Sequence, residues 1–214
     1  MKEKKLLIFD FDGVLVNTLP DIIASVGGAL KATGVEDCTE EIISNSIGGG
    51  ARKGMIKCLG PDRTHLLDAA LDNFKKYYTL HCADKSFLYP GIIEILDYYY
   101  GKIPMAVATA KFRQPTLNII KALGIEKYFD YIVSFDDVEK SKPDGECIEN
   151  ILDHFKCAKE DAILIGDTTT DIITGNNGGI HVCAVTYGFG KKEDIVSMNP
   201  QYVIDNIIQL KEII

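Results

Sequence analysis

Short apolar runs that alternate with helical stretches are the feature that most limits how this chain can fold. After residue 100, the helix-like segments "QPTLNIIKALG" and "GECIENILDHF" separate runs that are typical of buried strands. Strands separated by helices need crossover connections, which give a parallel sheet covered by helices on both faces. The sequence therefore predicts an α/β fold with a doubly wound, Rossmann-like parallel sheet. The predicted strands lie in "LLIF", "IPMAVATA", "YIVSF", "AILIGD" and "VCAVTYG".

The region from Thr18 to Phe87 has a different pattern. Its segments "LPDIIASVGGALKATG", "TEEIISNSI", "GARKGMIKCLG" and "THLLDAALDNFKKYYTLHC" have helical spacing and no convincing strand. We therefore predict a smaller, all-helical domain at 18–87, inserted into an α/β core formed by 1–17 and 88–214. Proline residues near the two ends of this insertion fit either a hinge or the start of a helix.

The charge and composition of the chain favour a small ligand over a polymer. With 23 Lys and Arg against 31 Asp and Glu, the formal net charge is −8, which argues against nucleic acid or an anionic membrane surface as a partner. No apolar run approaches the roughly 20 residues that span a bilayer, and "MKEKKLLIF" is not typical of a signal peptide, so we expect a cytoplasmic protein. The six cysteines form no CxxC pair, and we expect them to be reduced.

Polar side chains follow the predicted strands, and the carboxyl ends of parallel strands meet at one edge of a sheet, where ligands bind. Carboxylates crowded at that edge repel each other, so a positive partner is expected. Carboxylate oxygens favour a divalent cation, and Mg²⁺ commonly bridges carboxylates to a substrate phosphate. We expect Lys111 and Lys140 to be solvated surface lysines. The residues that follow the strands are Asp10, Asp12, Gly13, Thr109, Lys111, Lys140, Lys142, Asp167 and Asp171.

With a metal in place, two of these carboxylates can divide a phosphoryl transfer between them. One would attack phosphorus and form an aspartyl phosphate, while a second would donate a proton to the leaving oxygen. The metal and a lysine would offset negative charge, and a hydroxyl and backbone N–H groups would hold the phosphoryl oxygens. Gly13 would let the backbone approach the phosphate without an intervening side chain.

Four segments of the chain carry a family resemblance. The segments "DFDGVLVNT", "ATAK", "KSKPDGE" and "GDTTTD" resemble, in order, the four motifs of the haloacid dehalogenase superfamily. The predicted helical insertion resembles the cap of the subgroup that contains phosphoglycolate phosphatase and β-phosphoglucomutase. Two positions depart from the pattern. Ala110 stands where the motif often has Asn or Ser, so a polar contact to the phosphoryl group or to the acid is left to the backbone. Gly145 replaces the second proline of the third motif, which we expect to loosen its loop.

The resemblance implies roles for individual residues. Asp10 would be the nucleophile, and Asp12 would be the general acid and later the base that activates water. Thr109 and Lys142 would bind the phosphoryl oxygens, with Lys142 also steadying Asp10. Mg²⁺ would be held by the carboxylates of Asp10 and Asp167 and by the main-chain carbonyl of Asp12, with Asp171 ordering the waters of the metal.

A glycine-rich segment of the predicted cap, "SIGGGARKG", is expected to form a loop, because each glycine costs a helix about 1 kcal/mol relative to alanine. In related phosphatases such a loop faces the active site. Gly49 and Arg52 are therefore candidate substrate-binding residues, and Arg52 and Lys53 would grip an anionic part of the substrate. An exposed linker with two solvated cations is the alternative.

The function that these residues favour is a magnesium-dependent phosphatase for a small phosphorylated metabolite, with phosphoglycolate as the first candidate. A sugar phosphomutase of the β-phosphoglucomutase type, a nucleotidase and a pyrophosphatase are alternatives on the same scaffold. A phospho-ligand binding or signalling protein without catalysis is a further alternative. The sequence leaves monomer and homodimer open.

Overall fold

The computed structural model describes residues 4–47 and 50–214. Its centre is a six-stranded sheet in the order β5-β4-β1-β6-β7-β8, in which all neighbouring strands are parallel. A separate antiparallel pair is formed by β2 and β3. The strands are β1 (Leu6–Phe9), β2 (Val16–Asn17), β3 (Phe87–Leu88), β4 (Met105–Ala108), β5 (Tyr131–Val133), β6 (Ala162–Gly166), β7 (His181–Val185) and β8 (Tyr202–Ile204).

The helices separate the strands as the alternating pattern predicts. The α-helices are α1 (Leu19–Ala32), α2 (Glu40–Ser44), α3 (Ala51–Leu59), α4 (Leu67–His81), α5 (Ile92–Tyr99), α6 (Arg113–Ala122), α7 (Glu146–Phe155), α8 (Thr169–Gly178), α9 (Lys192–Ser197) and α10 (Leu210–Ile213). Short 3₁₀ turns occupy Pro61–Leu66, Glu126–Tyr128, Phe135–Asp137, Lys159–Asp161 and Ile207–Gln209.

The central strand β1 is buried on both faces, which explains its unbroken apolar sequence. Leu7 and Phe9 pack into one cluster with the apolar faces of α5 and α6. Leu6 and Ile8 point to the opposite face, where their cluster includes apolar residues of α7. Alternate side chains of a strand point to opposite faces. The sheet is therefore covered by helices on both sides, and the predicted doubly wound fold is confirmed.

The segment between β2 and β3 is helical, with α1 to α4 packed against one another. The polypeptide leaves and re-enters the core side by side, because β2 and β3 pair with each other. Both Asp21 oxygens, at the start of α1, accept from the backbone N–H of Lys85 at 3.1 and 3.0 Å. Asp21 Oδ2 also accepts from the N–H and the hydroxyl of Ser86, at 2.8 and 2.7 Å. This buried carboxylate fastens the two ends of the insertion together; the domain limits at 18–87 stay a prediction.

Helix α4 of the insertion lies directly on the core. Asn118 Nδ2, on α6, donates to the carbonyl of Thr79 on α4 at 3.1 Å. Lys75, also on α4, holds its ammonium 5.0 Å from the centre of the Phe112 ring, which precedes α6. The insertion is thus seated over the carboxyl edge of the sheet.

Two features of the fold were not predicted. Strand β8, with the sequence Tyr-Val-Ile, was overlooked, although its apolar run is as long as that of the predicted edge strand β5; it lies at the opposite edge of the sheet, with Val203 exposed. The pair β2 and β3 has only two residues in each strand, too few for a periodic signal. Among the described residues, none of the helices has the length and apolar character needed to cross a membrane.

Candidate active site

The carboxyl ends of the central strands bring the predicted residues to one edge. Asp10 follows β1, and its N–H donates to the carbonyl of Ile165 on β6 at 2.8 Å. Thr109 follows β4, and its N–H donates to the carbonyl of Val133 on β5 at 2.9 Å. These backbone bonds extend the sheet pairing by one residue, so both side chains start from rigid positions.

Three buried carboxylates meet at this edge. One oxygen each of Asp10, Asp167 and Asp171 lies within 4.8 Å of the others. Lys142 Nζ, with a side chain only 3% exposed, donates to Asp10 Oδ1 at 2.9 Å and to Asp171 Oδ1 at 2.8 Å. Since Lys142 brings one positive charge to three carboxylates, the cluster keeps an excess of negative charge.

Asp171 is held by the first turn of α8. It is the third residue of the helix, and its Oδ2 accepts from the N–H of Thr168 at 3.0 Å and from the hydroxyl of Thr168 at 2.6 Å. This reciprocal cap fixes both the helix end and the direction of the carboxylate. Its other oxygen is therefore aimed at Lys142.

Asp167 has the free oxygen that a metal would require. Its Oδ2 accepts from the N–H of Phe189 at 2.7 Å, whereas its buried Oδ1 has no hydrogen-bond partner among the described residues. Burial, together with the charges of Asp171 and Asp10, raises the pKa of Asp167 well above its usual range. An unsatisfied buried carboxylate oxygen is costly, and a hard cation with oxygen ligands would satisfy it. The donor set therefore fits Mg²⁺.

The pKa of Asp10 reflects the same crowding. Burial raises the pKa of this carboxyl to about 7; Lys142 opposes the shift, and Asp171 adds to it. Without a cation, the Asp10 carboxyl therefore holds a proton below about pH 7.

Asp12 lines the same cavity as this cluster but pairs with a different cation. Lys111 Nζ donates to both of its oxygens, at 3.0 and 2.9 Å, and the hydroxyl of Thr18 donates to Asp12 Oδ1 at 2.6 Å. The prediction that Lys111 is a solvated surface lysine is wrong, because its side chain is only 5% exposed. Lys140, by contrast, is exposed as predicted. Asp10 and Asp12 are two residues apart, but each pairs with its own lysine: Asp10 with Lys142, and Asp12 with Lys111.

Lys111 also joins the core to the insertion. Its ammonium lies 4.5 Å from the centre of the ring of Tyr78, a buried residue of α4. Burial lowers the pKa of Lys111, but the charge of Asp12 and the contact with Tyr78 outweigh it, so the pKa is raised. Cation–π attraction at this distance adds to the ion pair with Asp12. Sequence reasoning missed this role, although the position of Lys111 two residues after Thr109, at an acidic edge, was a usable signal.

Thr109 has a hydroxyl that can donate to a ligand. Its Oγ1 accepts from the N–H of Lys111 at 3.2 Å, which leaves the hydroxyl proton available. Ala110, the next residue, lies along the same cavity as the carboxylates. Thr109 and Ala110 therefore line the site, and their contacts with a substrate stay predictions.

Gly13 is needed for the close approach of Asp167. A Cβ at Gly13 would lie 2.1 Å from Asp167 Oδ2, and the φ of +89° is one that other residues rarely adopt. The predicted approach of backbone to phosphate stays a prediction. What the structure shows is that Gly13 makes room for a carboxylate.

We expect Gly13→Ala to weaken Mg²⁺ binding by about tenfold or more, because a displaced Asp167 loses its place beside Asp10. Isothermal titration calorimetry measures the affinity, and thermal unfolding reports on the fold. Gly34→Ala is a matched control, since Gly34 has a φ of +83° but open space around its Cβ position. Equal Mg²⁺ affinity in the two variants would contradict the crowding argument.

The predicted cap loop is only partly described. Gly49 lies outside the described residues, and Gly50 precedes α3 with a φ of +84°. Arg52 and Lys53, in the first turn of α3, line the cavity over the carboxylates. Arg52 is 66% exposed and lies 3.5 Å from Asp68, so it is available to a ligand at modest cost.

The expectation that Gly145 loosens its loop is wrong. A Cβ at Gly145 would lie 2.8 Å from the backbone nitrogen of Gly178, so glycine here allows close packing against the end of α8. Asn177 Nδ2 also donates to the carbonyl of Pro143 at 2.8 Å. These contacts hold the segment that carries Lys142.

Comparison with known proteins agrees with this geometry. A family model described as haloacid dehalogenase-like hydrolase matches residues 7–185. The chain belongs to the haloacid dehalogenase-like hydrolase family. A phosphoglycolate phosphatase from Photobacterium profundum is 29% identical, over 98% of this chain and 95% of its own length. Pyrophosphatase PpaX from Halalkalibacterium halodurans is 27% identical, over 99% of this chain and 97% of its own length.

Solved structures of haloacid dehalogenase-like hydrolases share the fold over the whole chain. One such protein from Streptococcus pneumoniae superposes with a TM-score of 0.89 at 26% identity, covering 100% of this chain and 99% of its own. The predicted family, the α/β fold and the expectation of a phosphatase-type enzyme are confirmed.

Proposed function

We propose that this haloacid dehalogenase-like hydrolase is a magnesium-dependent phosphatase that hydrolyses a small phosphomonoester through an aspartyl phosphate on Asp10. The observation that carries the proposal is the buried cluster of Asp10, Asp167 and Asp171, in which Lys142 links the first and third carboxylates. The membership of the family and the names of the relatives support the same reaction class.

The residues that would hold Mg²⁺ are the carboxylates of Asp10 and Asp167 and the main-chain carbonyl of Asp12, with Asp171 ordering water around the ion. The buried Oδ1 of Asp167, which lacks a hydrogen-bond partner within the described part of the chain, supports this assignment. When bound, the cation would offset negative charge on the carboxylates and on the phosphoryl group being transferred.

In the first half of the reaction, an Asp10 oxygen attacks phosphorus while the bond from phosphorus to the leaving oxygen breaks. Asp12 donates its proton to that oxygen, so the leaving group departs as a neutral alcohol. In the second half, Asp12 takes a proton from water, and the water oxygen attacks phosphorus while the bond from phosphorus to the Asp10 oxygen breaks. Inorganic phosphate leaves, and Asp10 and Asp12 return to their starting forms.

Lys142 and Thr109 would hold the phosphoryl oxygens during both steps. Lys142 is already fixed by two carboxylates, so little side-chain freedom remains to be lost when the substrate binds. The Thr109 hydroxyl is fixed by the N–H of Lys111 and keeps its own proton for donation.

Lys111 is the residue that we add to the predicted set, as a positioning residue for Asp12. Its two hydrogen bonds to Asp12, with that of Thr18, hold the carboxyl at one orientation. Asp12 must face the leaving oxygen and then water, and fixed geometry favours both proton transfers.

The experiment that tests the function is phosphate release from a panel of phosphomonoesters, with Mg²⁺ and with a chelator. The panel includes phosphoglycolate and pyrophosphate, because relatives of this chain are named as a phosphoglycolate phosphatase and a pyrophosphatase. Sugar phosphates and nucleotides represent the alternative substrates. Release that requires Mg²⁺ supports the proposal. Release that is equal with the chelator would contradict the metal assignment, and no release from any substrate would contradict the phosphatase.

We expect Mg²⁺ affinity to fall about tenfold between pH 8 and pH 6. The pKa of Asp10 is raised to about 7, so the carboxyl is mostly ionised at pH 8 and mostly protonated at pH 6. A proton and the cation compete for the same oxygen, and binding therefore weakens as the pH falls through 7. Calorimetric titration at the two pH values measures the change.

The matched control for this pH dependence is Asp10→Asn, whose amide does not titrate. Its Mg²⁺ affinity, although weaker, is expected to change less between the two pH values. A pH dependence as large as that of the unsubstituted protein would contradict the assignment to Asp10.

A further inference from the structure

A cavity of about 630 Å³ opens from the carboxylate cluster into the space beneath the insertion. Ligand cavities of roughly 300–1,000 Å³ hold molecules of drug size. A two-carbon leaving group such as that of phosphoglycolate would occupy only a small part of this one. The shape of the site therefore allows a considerably larger leaving group.

The walls of the cavity are mainly apolar and rich in aromatic rings. Phe74 and Tyr78, on α4, stack with ring centres 5.1 Å apart. Phe112 and Phe135 meet edge to face on the core side, with ring centres 5.3 Å apart. The lining residues with apolar side chains include Ile22, Val26, Met55, Leu71, Phe74, Tyr78, Phe112, Phe135 and Phe189.

The aromatic walls lie beside Lys111, the partner of the proposed general acid Asp12. Tyr78 lies against the ammonium of Lys111, which in turn binds Asp12, the residue that protonates the leaving oxygen. Phe112 directly follows Lys111, and the N–H of Phe135 donates to the carbonyl of Lys111 at 2.9 Å. Both aromatic pairs are therefore tied to the group that positions the general acid.

The cavity has this volume with the insertion already packed on the core, since α4 contacts α6 and Lys75 lies over the Phe112 ring. Phe135 nevertheless remains 43% exposed. Apolar surface that faces water at a binding site gains free energy when a ligand covers it, and aromatic rings add a preference for other rings.

We propose that the substrates this enzyme hydrolyses best are phosphomonoesters whose leaving group carries an aromatic ring, which binds between these aromatic walls. The inference rests on the proposed function and specifies its substrate class. Three cations, Arg52, Lys53 and Lys75, also border the cavity, and a polar or anionic substituent on the ring would reach them. A two-carbon leaving group would leave most of the apolar wall in contact with water.

The test compares benzyl phosphate with ethyl phosphate, with phosphoglycolate as the reference. Both model substrates release an unactivated primary alcohol, so a difference in kcat/KM reports the ring rather than the chemistry. We expect kcat/KM for benzyl phosphate to exceed that for ethyl phosphate by about tenfold or more, and to exceed that for phosphoglycolate.

The Phe135→Ala variant tests whether the preference for an aromatic leaving group comes from the aromatic wall of the cavity. Phe135 lies half exposed in a short 3₁₀ turn, so its truncation is compatible with folding, which thermal unfolding checks. We expect the ratio of benzyl to ethyl kcat/KM to fall by about threefold or more in this variant. Tyr98→Ala removes an aromatic ring of similar exposure, 44%, on α5 away from the cavity, and is expected to leave the ratio unchanged.

The outcomes separate this inference from the function on which it rests. If phosphoglycolate is hydrolysed with the highest kcat/KM and the benzyl to ethyl ratio is near one, the aromatic preference is wrong and the phosphatase stands. An unchanged ratio in Phe135→Ala would overturn the assignment to this wall. If no substrate releases phosphate with Mg²⁺, both proposals fail together.

Discussion

We expect the Asp10→Asn variant to lose phosphate release by at least about 1,000-fold while keeping its fold. The amide of Asn is a much weaker nucleophile than a carboxylate, so the covalent step fails. The substitution keeps the shape of the side chain and removes one of three crowded carboxylates, so the fold is not expected to suffer. Turnover of the best substrate of the panel and the thermal unfolding midpoint are the two measurements.

Asp153→Asn is the matched control for this substitution, because Asp153 is an exposed residue of α7. It makes the same chemical change away from the site and is expected to keep the activity of the unsubstituted protein. Substantial residual turnover in Asp10→Asn would contradict the assignment of Asp10 as the nucleophile. A lowered unfolding midpoint would indicate that Asp10 has a structural role instead.

The second large effect is expected from Lys111→Met, and it should depend on the leaving group. Methionine fills similar space without a charge, so Asp12 loses two of its three hydrogen bonds. A misplaced general acid matters for an alcohol that needs a proton, and general acid catalysis is worth about 10²–10⁴-fold. We expect kcat/KM for ethyl phosphate to fall about 100-fold. For p-nitrophenyl phosphate, whose leaving group p-nitrophenolate departs without a proton, we expect kcat/KM to fall about threefold or less.

Lys140→Met is the control that tests whether the loss of another lysine also lowers kcat/KM for ethyl phosphate. Lys140 is an exposed lysine near the site, and its variant is expected to keep both rates. Equal losses on the two substrates in Lys111→Met would show that Lys111 acts in binding or folding rather than through Asp12. Thermal unfolding of the variant sets the assay temperature, since a partly buried carboxylate that loses its ion-pair partner lowers stability.

The fold was largely predictable because its signals are local. Each predicted strand is a short apolar run between turns, and all of them pair in parallel as expected. Strand β8 was overlooked although its apolar run, Tyr202–Ile204, is as long as that of β5. Strands β2 and β3 carry little local signal, because each has only two residues and they are held by pairing with each other. Such elements depend on tertiary contacts.

The candidate site was predicted in part for the same reason. Asp10, Asp167 and Asp171 come together because parallel strands end at one edge, and that rule can be applied to a sequence. The partner of Asp12 could not be found in this way. Lys111 is 99 residues away in the chain, and its burial requires Tyr78 from the insertion as well as Asp12 from the core.

Short segments of the sequence were enough to predict five strands of the central sheet, the helices between them, and the set of acids, hydroxyl and lysines at the carboxyl edge, because periodicity and strand ends are local properties. The tertiary structure decided how those groups pair: Lys142 with Asp10 and Asp171, and Lys111 with Asp12. It also decided that an aromatic cavity lies over them. Pairing and burial depend on distances of a few ångströms between segments far apart in the chain, and those distances exist only once the insertion is seated on the core.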